Sequence, residues 1–482
     1  MKKTSSKRNS PAWDLAIVGG GSAGYAAARA AAAEGLRTVV IEGGDEVGGL
    51  CILRGCMPSK ALLYAADVLH LARSAGTWGL SVRRAGFDFR AVMARKKAMI
   101  ADFARSRREE LAAGKFKFIR ALARFVDPHT LALSNAREAA PPTVTAKHFI
   151  LCTGSVVAPP PLPALNGIGF LTSDDALSLR RLPPSLIVLG GGPVAVELAQ
   201  FFCRFDVEVT LLQRSEHVLR GFDADAAVVL EKVLRREGVQ LWTGTKLLGA
   251  FQLGRQRGIA LSRQGRRGRV LARRILLALG RAPATAGLGL DKAGVETDGG
   301  RIRTNAEMQT SAPHIYAAGD CTGPHEIVHI AIEQGEIAAH NIARPRRKRA
   351  MDYRLLTSVV FTDPQVAAVG LTEKEARRRN ISYLAASHPF ADHGKSLIMA
   401  ATDGFVKLLA DPVSGEILGG ACVGPLGGEL IHEIVAAMHQ RMTAGQLAAM
   451  PHYHPTLAEI WSYPAAELER QRQAGGLKGN QR

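Results

Sequence analysis

Short apolar runs alternate with glycine turns and helical stretches along this chain. Residues 13–18 form an apolar run that predicts a buried strand. Gly19-Gly20-Gly21-Ser22-Ala23-Gly24 follows, and an alanine-rich helical stretch runs on to Glu34 and stops at Gly35. A second apolar strand over residues 36–41 ends in Glu42. Helical patterns cover residues 61–73 and 87–113, and residues 122–147 read as short strands and turns. An apolar strand from Phe149 enters a turn at Gly154, and the proline-rich residues 158–163 mark a boundary.

The opening pattern then repeats. Residues 186–189 predict a strand, Gly190-Gly191-Gly192-Pro193-Val194-Ala195 a turn, residues 196–205 a helix and residues 207–212 a second strand. Residues 275–279 form another apolar strand, ending at Gly280. A further strand delivers Gly319 and Asp320, and residues 327–341 read as a helix. From residue 353 to about 464 strand patterns (358–361, 405–409, 417–423) mix with helices near 372–379 and 430–438. The tail past Glu469 is polar and predicted to be disordered.

Strand, G-x-G-x-x-G, helix, strand and terminal acid form a complete dinucleotide unit. The glycines let backbone approach a pyrophosphate, which sits at the positive end of the helix. Glu42 can accept hydrogen bonds from ribose hydroxyls. The second unit, with G-x-G-x-x-A, implies a second dinucleotide. Its closing strand ends in Gln213-Arg214, with Arg220 six residues on, where an NAD site places a carboxylate. Two guanidiniums suit a 2′-phosphate, so NADP(H) is preferred over NAD(H).

Residues 48–60, GGLCILRGCMPSK, hold Cys51 and Cys56 with four residues between them. In a regular helix their Cα atoms would lie roughly 8–9 Å apart, whereas a disulfide needs less than about 7 Å. Closure therefore demands a distorted backbone, which Gly48, Gly49, Gly55 and Pro58 permit. Two buried inert thiols are the alternative reading of the pair alone.

Composition narrows the setting. The 482 residues are 47% hydrophobic, ample for about three domains. Six cysteines are too few for a disulfide-stapled secreted protein. Residues 1–10 are charged and polar with no apolar run behind them, so no signal peptide is expected. No apolar run reaches the ~18–20 residues of a membrane span, and a cytoplasmic protein with no membrane partner follows. The net charge is +19, from basic clusters at residues 1–10, 263–274, 344–349 and 377–379. They are scattered and lack interleaved aromatics, so they read as solvated loops, and nucleic acid is not expected as a partner.

Taken in order, Gly19–Gly24, Glu42, Cys51 and Cys56 with Pro58-Ser59-Lys60, the second glycine turn, Ala318-Gly319-Asp320 and His454-Pro455-Thr456 resemble the FAD-dependent pyridine nucleotide–disulfide oxidoreductases. The resemblance runs from about residue 13 to 464. It implies an α/β chain with two Rossmann-like dinucleotide-binding domains and an α+β C-terminal dimerisation domain. The FAD domain would cover residues 11–157 and 284–348, the NAD(P) domain 158–283, the interface domain 349–465 and a polar tail 466–482. It assigns Gly19, Gly21, Ser22, Ala23, Gly24, Glu42, Gly49, Lys60, Gly154, Gly319 and Asp320 to FAD. It assigns Gly190, Gly192, Val194, Ala195, Glu197, Arg214, Arg220 and Gly280 to the nicotinamide nucleotide. Cys51 resembles the thiol that meets substrate and Cys56 the thiol beside the flavin. Lys60 matches the lysine near the flavin, paired with Glu197. His454 and Glu459 match the acid–base pair that reaches the partner subunit, which implies a homodimer. Any one of the 14 histidines is by default a satisfied side chain; the H-P-T-x-x-E context singles out His454. The implied reaction carries hydride from NADPH through flavin to a Cys51–Cys56 disulfide and on to a small-molecule or protein disulfide. No metal site is expected. Cys152, Cys203, Cys321 and Cys422 read as small apolar residues.

The chain also departs from the family pattern. Leu50 replaces the usual threonine before the first cysteine, Leu53 the usual asparagine, and Arg54 adds a cation that favours thiolate. Glu336 stands where glutathione reductases carry a substrate-binding arginine, and the chain lacks the terminal metal domain and cysteine pair of mercuric reductases. The remaining alternatives are an NAD-dependent dihydrolipoamide dehydrogenase, a mercuric reductase-like enzyme, and a non-catalytic flavin-bearing binding protein.

Overall fold

The computed structural model describes residues 12–137 and 139–479. The basic stretch 1–10, the first residue assigned to the FAD domain and the last three of the tail lie outside them. The chain divides into two compact units.

The first unit takes the residues up to Ser59, Ala94–Pro159 and Arg281–Met351. Its sheet runs in the order Lys117–Arg120, Thr38–Glu42, Trp13–Val18, Thr143–Leu151, Thr130–Ser134 and Leu122–Asp127, and Ile315–Ala317 also pairs with Thr143–Leu151. Trp13–Val18 lies parallel to both neighbours, with Leu15 opposite Thr38 and His148. Such strands are covered on both faces and read as continuous apolar runs; Leu15, Ala16 and Ile17 are fully buried. Helices Ser22–Ala33 and Val328–Ala343 pack so closely that a Cβ on Gly335 would meet the Ala23 carbonyl. This places the first glycine turn and Asp320 at strand ends of one sheet.

The second unit takes Lys60–Met93, Pro160–Gly280 and the residues from Asp352 on. A four-stranded parallel sheet, Gln240–Trp242, Glu208–Leu212, Ser185–Leu189 and Arg274–Leu277, carries the second nucleotide turn. A five-stranded antiparallel sheet, Thr357–Val360, Gln365–Gly370, Ile417–Gly424, Phe405–Ala410 and Leu384–Pro389, forms the C-terminal domain with helix Gly427–His439.

Several expectations need correcting. Residues 60–93, read as part of the first domain, belong to the second unit. The cause is packing: Leu62, Leu63, Ala66 and Leu69 share a core with Val196, Phe201 and Phe202 of the second dinucleotide helix. Residues 245–272 form a three-stranded antiparallel meander that the apolar pattern did not resolve. It carries Arg266, Arg267 and Arg269 of the 263–274 basic cluster on exposed strand positions. The tail is helical over Ser462–Gly479, because Ala465 and Leu468 are buried in the C-terminal core with Trp461 and Ile434.

Candidate active site

Both nucleotide turns are built alike. Gly19 has φ +104°, and a Cβ there would lie 2.3 Å from the Cys152 carbonyl; Gly190 has φ +119°, with the Ala278 carbonyl at the same 2.3 Å. Neither position tolerates a side chain, so each strand can turn tightly into its helix. Gly21 and Gly192 cap those helices. Ser22 and Ala23 open the first helix and Gly24 lies within it, while Val194 and Ala195 lie in the first turn of the second. Glu42 accepts hydrogen bonds from Gly20 N (2.7 Å) through Oε2 and from Gly44 N (2.6 Å) through Oε1. Each oxygen keeps a lone pair for a ribose hydroxyl. Gly154 is open, with nothing within 4 Å of a built Cβ, and Gly319 donates its N–H to buried Gln334 at 2.8 Å. Asp320 accepts from Ser155 Oγ at 2.6 Å, and Arg281 donates to the same hydroxyl at 2.7 Å. Backbone donors, a carboxylate and open space together fit FAD at this end of the first unit.

The thiols sit where the helix breaks. Cys51 lies in helix Gly49–Arg54; Gly55 (φ −127°, ψ −116°) interrupts it, and Cys56 opens helix Cys56–Arg73. This is the backbone distortion that the spacing demands. Gly49 presses against Gly21 (a Cβ would lie 2.7 Å from its Cα), which sets the cysteine helix beside the first nucleotide turn. The Cys51 thiol is pushed above its ordinary value, first by its hydrogen bond to Cys56, then by burial. Cys56, at a helix N-terminus, is the one placed to carry the thiolate. Arg107 pulls Cys51 the other way; its guanidinium stacks 4.1 Å over the Tyr25 ring and its Nε donates to Glu110. Neither Arg107 nor Tyr25 stood out in the sequence.

Helix Cys56–Arg73 is clamped to helix Pro193–Arg204 at three points. Lys60 Nζ donates to both oxygens of Glu197 (3.0 and 2.8 Å) and lies 4.7 Å over the Phe361 ring, while Phe361 N donates to Glu197 Oε1. Asp67 accepts from Arg204 at 2.6 Å. Arg73 forks onto Asp206, just past the second helix, at 2.9 Å twice. The seven-residue spacing of Lys60 and Asp67, about two turns, keeps those two on one face. Arg204 also donates to Glu237 and Asp363. Burial, opposed by Arg204, pushes Asp67 up to about 6. His70, Glu237 and Asp363 offer ligand atoms within 4.8 Å of one another, but Arg204 already neutralises those carboxylates. Only the Lys60–Glu197 clamp was legible beforehand.

His454 is exposed and its Nδ1 meets Glu459 Oε2 at 3.0 Å; Glu459 is buried. A carboxylate accepts only, so Nδ1 carries the proton and Nε2 is left as the working nitrogen. At the second nucleotide turn, Gln213 folds over Gly191, accepting from Arg214 N (3.0 Å) and donating to the His217 carbonyl (3.2 Å). Arg214 and Arg220 are exposed, and Gly280 (φ +111°) lies just past the neighbouring strand, which ends at Leu277. Glu336 is exposed on helix Val328–Ala343. Burial pushes the Cys152, Cys321 and Cys422 thiols up, and Cys152 and Cys321 lie near enough to raise Cys152 further. Cys203 donates to the Glu237 carbonyl.

The model of the family Pyridine nucleotide-disulphide oxidoreductase matches residues 13–335, and the model of that family's dimerisation domain matches residues 356–465. A dihydrolipoyl dehydrogenase of Thermus scotoductus is 36% identical, over 95% of this chain and 98% of its own. One of Geobacillus stearothermophilus is 34% identical, over 94% and 95%. Among solved structures, LpdA from Mycobacterium tuberculosis superposes with a TM-score of 0.84 at 28% identity, covering 94% of this chain and 99% of that one. The HOCl-induced flavoprotein disulfide reductase RclA from Escherichia coli, as its Cu(II) complex, gives 0.83 at 25% identity with the same coverage. Two dinucleotide turns, a broken-helix dithiol and these matches over nearly the whole chain lead to one conclusion: the protein belongs to the pyridine nucleotide–disulphide oxidoreductases and is a flavoprotein oxidoreductase acting on a sulfur group.

Proposed function

We propose that this enzyme is an NADPH-preferring disulfide reductase that works as a homodimer. The observation that carries the nucleotide preference is the end of strand Glu208–Leu212. Gln213 satisfies its amide within its own loop, and Arg214 and Arg220 stand exposed beside it. No carboxylate ends the strand to bond a 2′-hydroxyl or repel a 2′-phosphate. FAD, when bound, relays reducing equivalents from the nicotinamide to the Cys51–Cys56 disulfide.

The chain's own residues supply the rest. Glu197 holds the Lys60 ammonium one turn along the helix from Cys56. His454 Nε2 takes the proton of the Cys51 thiol as its sulfur attacks a substrate disulfide, forming a mixed disulfide and expelling one substrate thiolate. His454 gives that thiolate its proton. Cys56 thiolate then attacks the Cys51 sulfur, restoring the protein disulfide and releasing the second substrate thiolate. The exposure of His454 on the dimerisation domain supports its service to the partner subunit's thiols.

A second reading, an NAD-linked dihydrolipoyl dehydrogenase, is favoured by the names of the curated relatives. Steady-state kinetics separate the two. NADPH is expected to give the higher kcat/KM, and Arg214→Ala with Arg220→Ala to raise its KM about ten-fold or more while leaving NADH nearly unmoved. A higher kcat/KM for NADH with brisk oxidation of dihydrolipoamide would establish the second reading instead.

A further inference from the structure

Glu459 has two carboxylate oxygens, and the acid–base role of His454 uses one. The other faces a second histidine. His393 is 1% exposed, and its Nε2 lies 3.4 Å from Glu459 Oε1, within ion-pair distance but not aligned for a hydrogen bond, so among the described residues that nitrogen has no hydrogen-bond partner. Its Nδ1 lies 2.8 Å from the hydroxyl of fully buried Ser396. The carboxylate cannot donate, so the His393 proton belongs on Nε2, and Nδ1 accepts from Ser396. Ser396, His393, Glu459 and His454 thus form one row of polar side chains, leading from the core of the C-terminal domain to its surface.

We infer that His393 is a positioning residue for the acid–base step: its Nε2–H faces the far oxygen of Glu459, and its pull on that oxygen sets how strongly the carboxylate holds the proton of His454. The inference rests on the reading of His454 as the proton donor to the departing thiolate.

The surroundings keep His393 neutral. Burial pushes its imidazole below the ordinary value, against the pull of Glu459 and the Thr456 backbone, and His388 adds to the depression. The other flanking groups are rings: Phe390 and Tyr463 meet His393 edge-on, with centroids at 6.4 Å, and His388 stacks on Tyr463 at 4.2 Å. A neutral donor is the useful form here. It stabilises the Glu459 anion without cancelling it, so part of the carboxylate's basicity is spent on His393. Without that donor the full charge acts on His454, which then stays protonated to higher pH. A buried histidine in a purely structural role would change folding without moving that titration.

The test uses the FAD-loaded full chain and pH profiles of NADPH-driven turnover with two probes. One is whichever of lipoamide, cystine and glutathione disulfide the wild type reduces fastest; its alkyl thiolate needs a proton on leaving. The other is the aryl disulfide DTNB, whose thiolate leaves without one. His393→Leu is expected to move the alkaline limb of the alkyl profile up by roughly half to one pH unit and to leave the DTNB profile in place. His393→Gln, whose amide can reach Oε1, is expected to restore the wild-type limb. Should His393→Leu fail to fold, His393→Asn stands in: its shorter amide reaches toward Ser396 but not Glu459, so it should shift the limb as leucine does. An unmoved alkyl profile in a folded His393→Leu or His393→Asn enzyme overturns the inference. His454→Gln separates the two failures. If it too leaves alkyl-disulfide turnover intact, the acid–base reading of His454 has fallen and this inference falls with it; if it abolishes turnover while His393 variants stay unmoved, only this inference has failed.

Discussion

Replacing Arg204 by methionine removes the central cation of the clamp between the dithiol helix and the nucleotide helix. The Arg204 side chain is 3% exposed and serves three carboxylates, Asp67, Glu237 and Asp363. Removing one partner of a buried pair costs about 3–5 kcal/mol, because the remaining charge keeps its desolvation penalty. Here Glu237 is 9% exposed, but Asp67 and Asp363 keep 43% and 52% exposure and are partly solvated. That lowers the expectation to about 2–4 kcal/mol, or roughly 2–4 °C in the thermal midpoint of a chain this long. The loss should depend on pH in a definite direction. Asp67 sits at about 6 in the fold against 3.8 ordinarily. The native state therefore binds more protons than the unfolded chain across that window, and stability falls as pH rises through it. Without Arg204 the Asp67 carboxyl is pushed up further, so the deficit should be largest at pH 8 and narrow toward pH 5. Arg204→Lys should recover only part of it, since an ammonium cannot fork onto three acceptors. Thermal unfolding of the FAD-loaded protein at pH 5 and pH 8 measures all of this. A methionine variant within about 1 kcal/mol of wild type at pH 8, or one that worsens on acidification, would refute the reasoning.

Other consequences follow from the same geometry. Lys407 is buried among Asp223, Asp225 and Glu373; burial works against the Asp223 and Glu373 carboxylates, yet the ammonium holds both below their ordinary 3.8 and 4.5. Their contribution is present above those values and lost as pH falls below them, so Lys407→Met should begin acid unfolding at higher pH, read by circular dichroism. Glu42→Ala should lower the FAD retained on gel filtration, read by absorbance at 450 nm, because Gly20 and Gly44 lose their acceptor. Cys51→Ser should abolish disulfide turnover with FAD still bound; turnover near wild type would exclude the thiol relay.

Local signals in the chain carried the fold class and the nucleotide turns, because each depends on neighbours a few residues apart. Gly19 and Gly190 announce their positive φ by a type of residue, and the strand before each is a plain apolar run. The cysteine spacing foretold a broken helix, which Gly55 supplies. What stayed hidden depends on distant partners. Arg204 meets Asp363, 159 residues away, and His393 meets Glu459 across the C-terminal core. In the sequence both are polar residues among many, and nothing periodic marks their burial. The helical tail was hidden for a related reason: its polar composition masks the two positions, Ala465 and Leu468, that hold it down.

The central claim is that nicotinamide-derived electrons reach substrate through Cys51 and Cys56. Thiol titration under anaerobic denaturing conditions, before and after reduction with NADPH, tests it most directly. Two additional thiols per chain should appear in the wild type, none in Cys51→Ser or Cys56→Ser, with FAD content equal in all three. An unchanged thiol count in a wild-type enzyme that still turns over a disulfide would contradict the account.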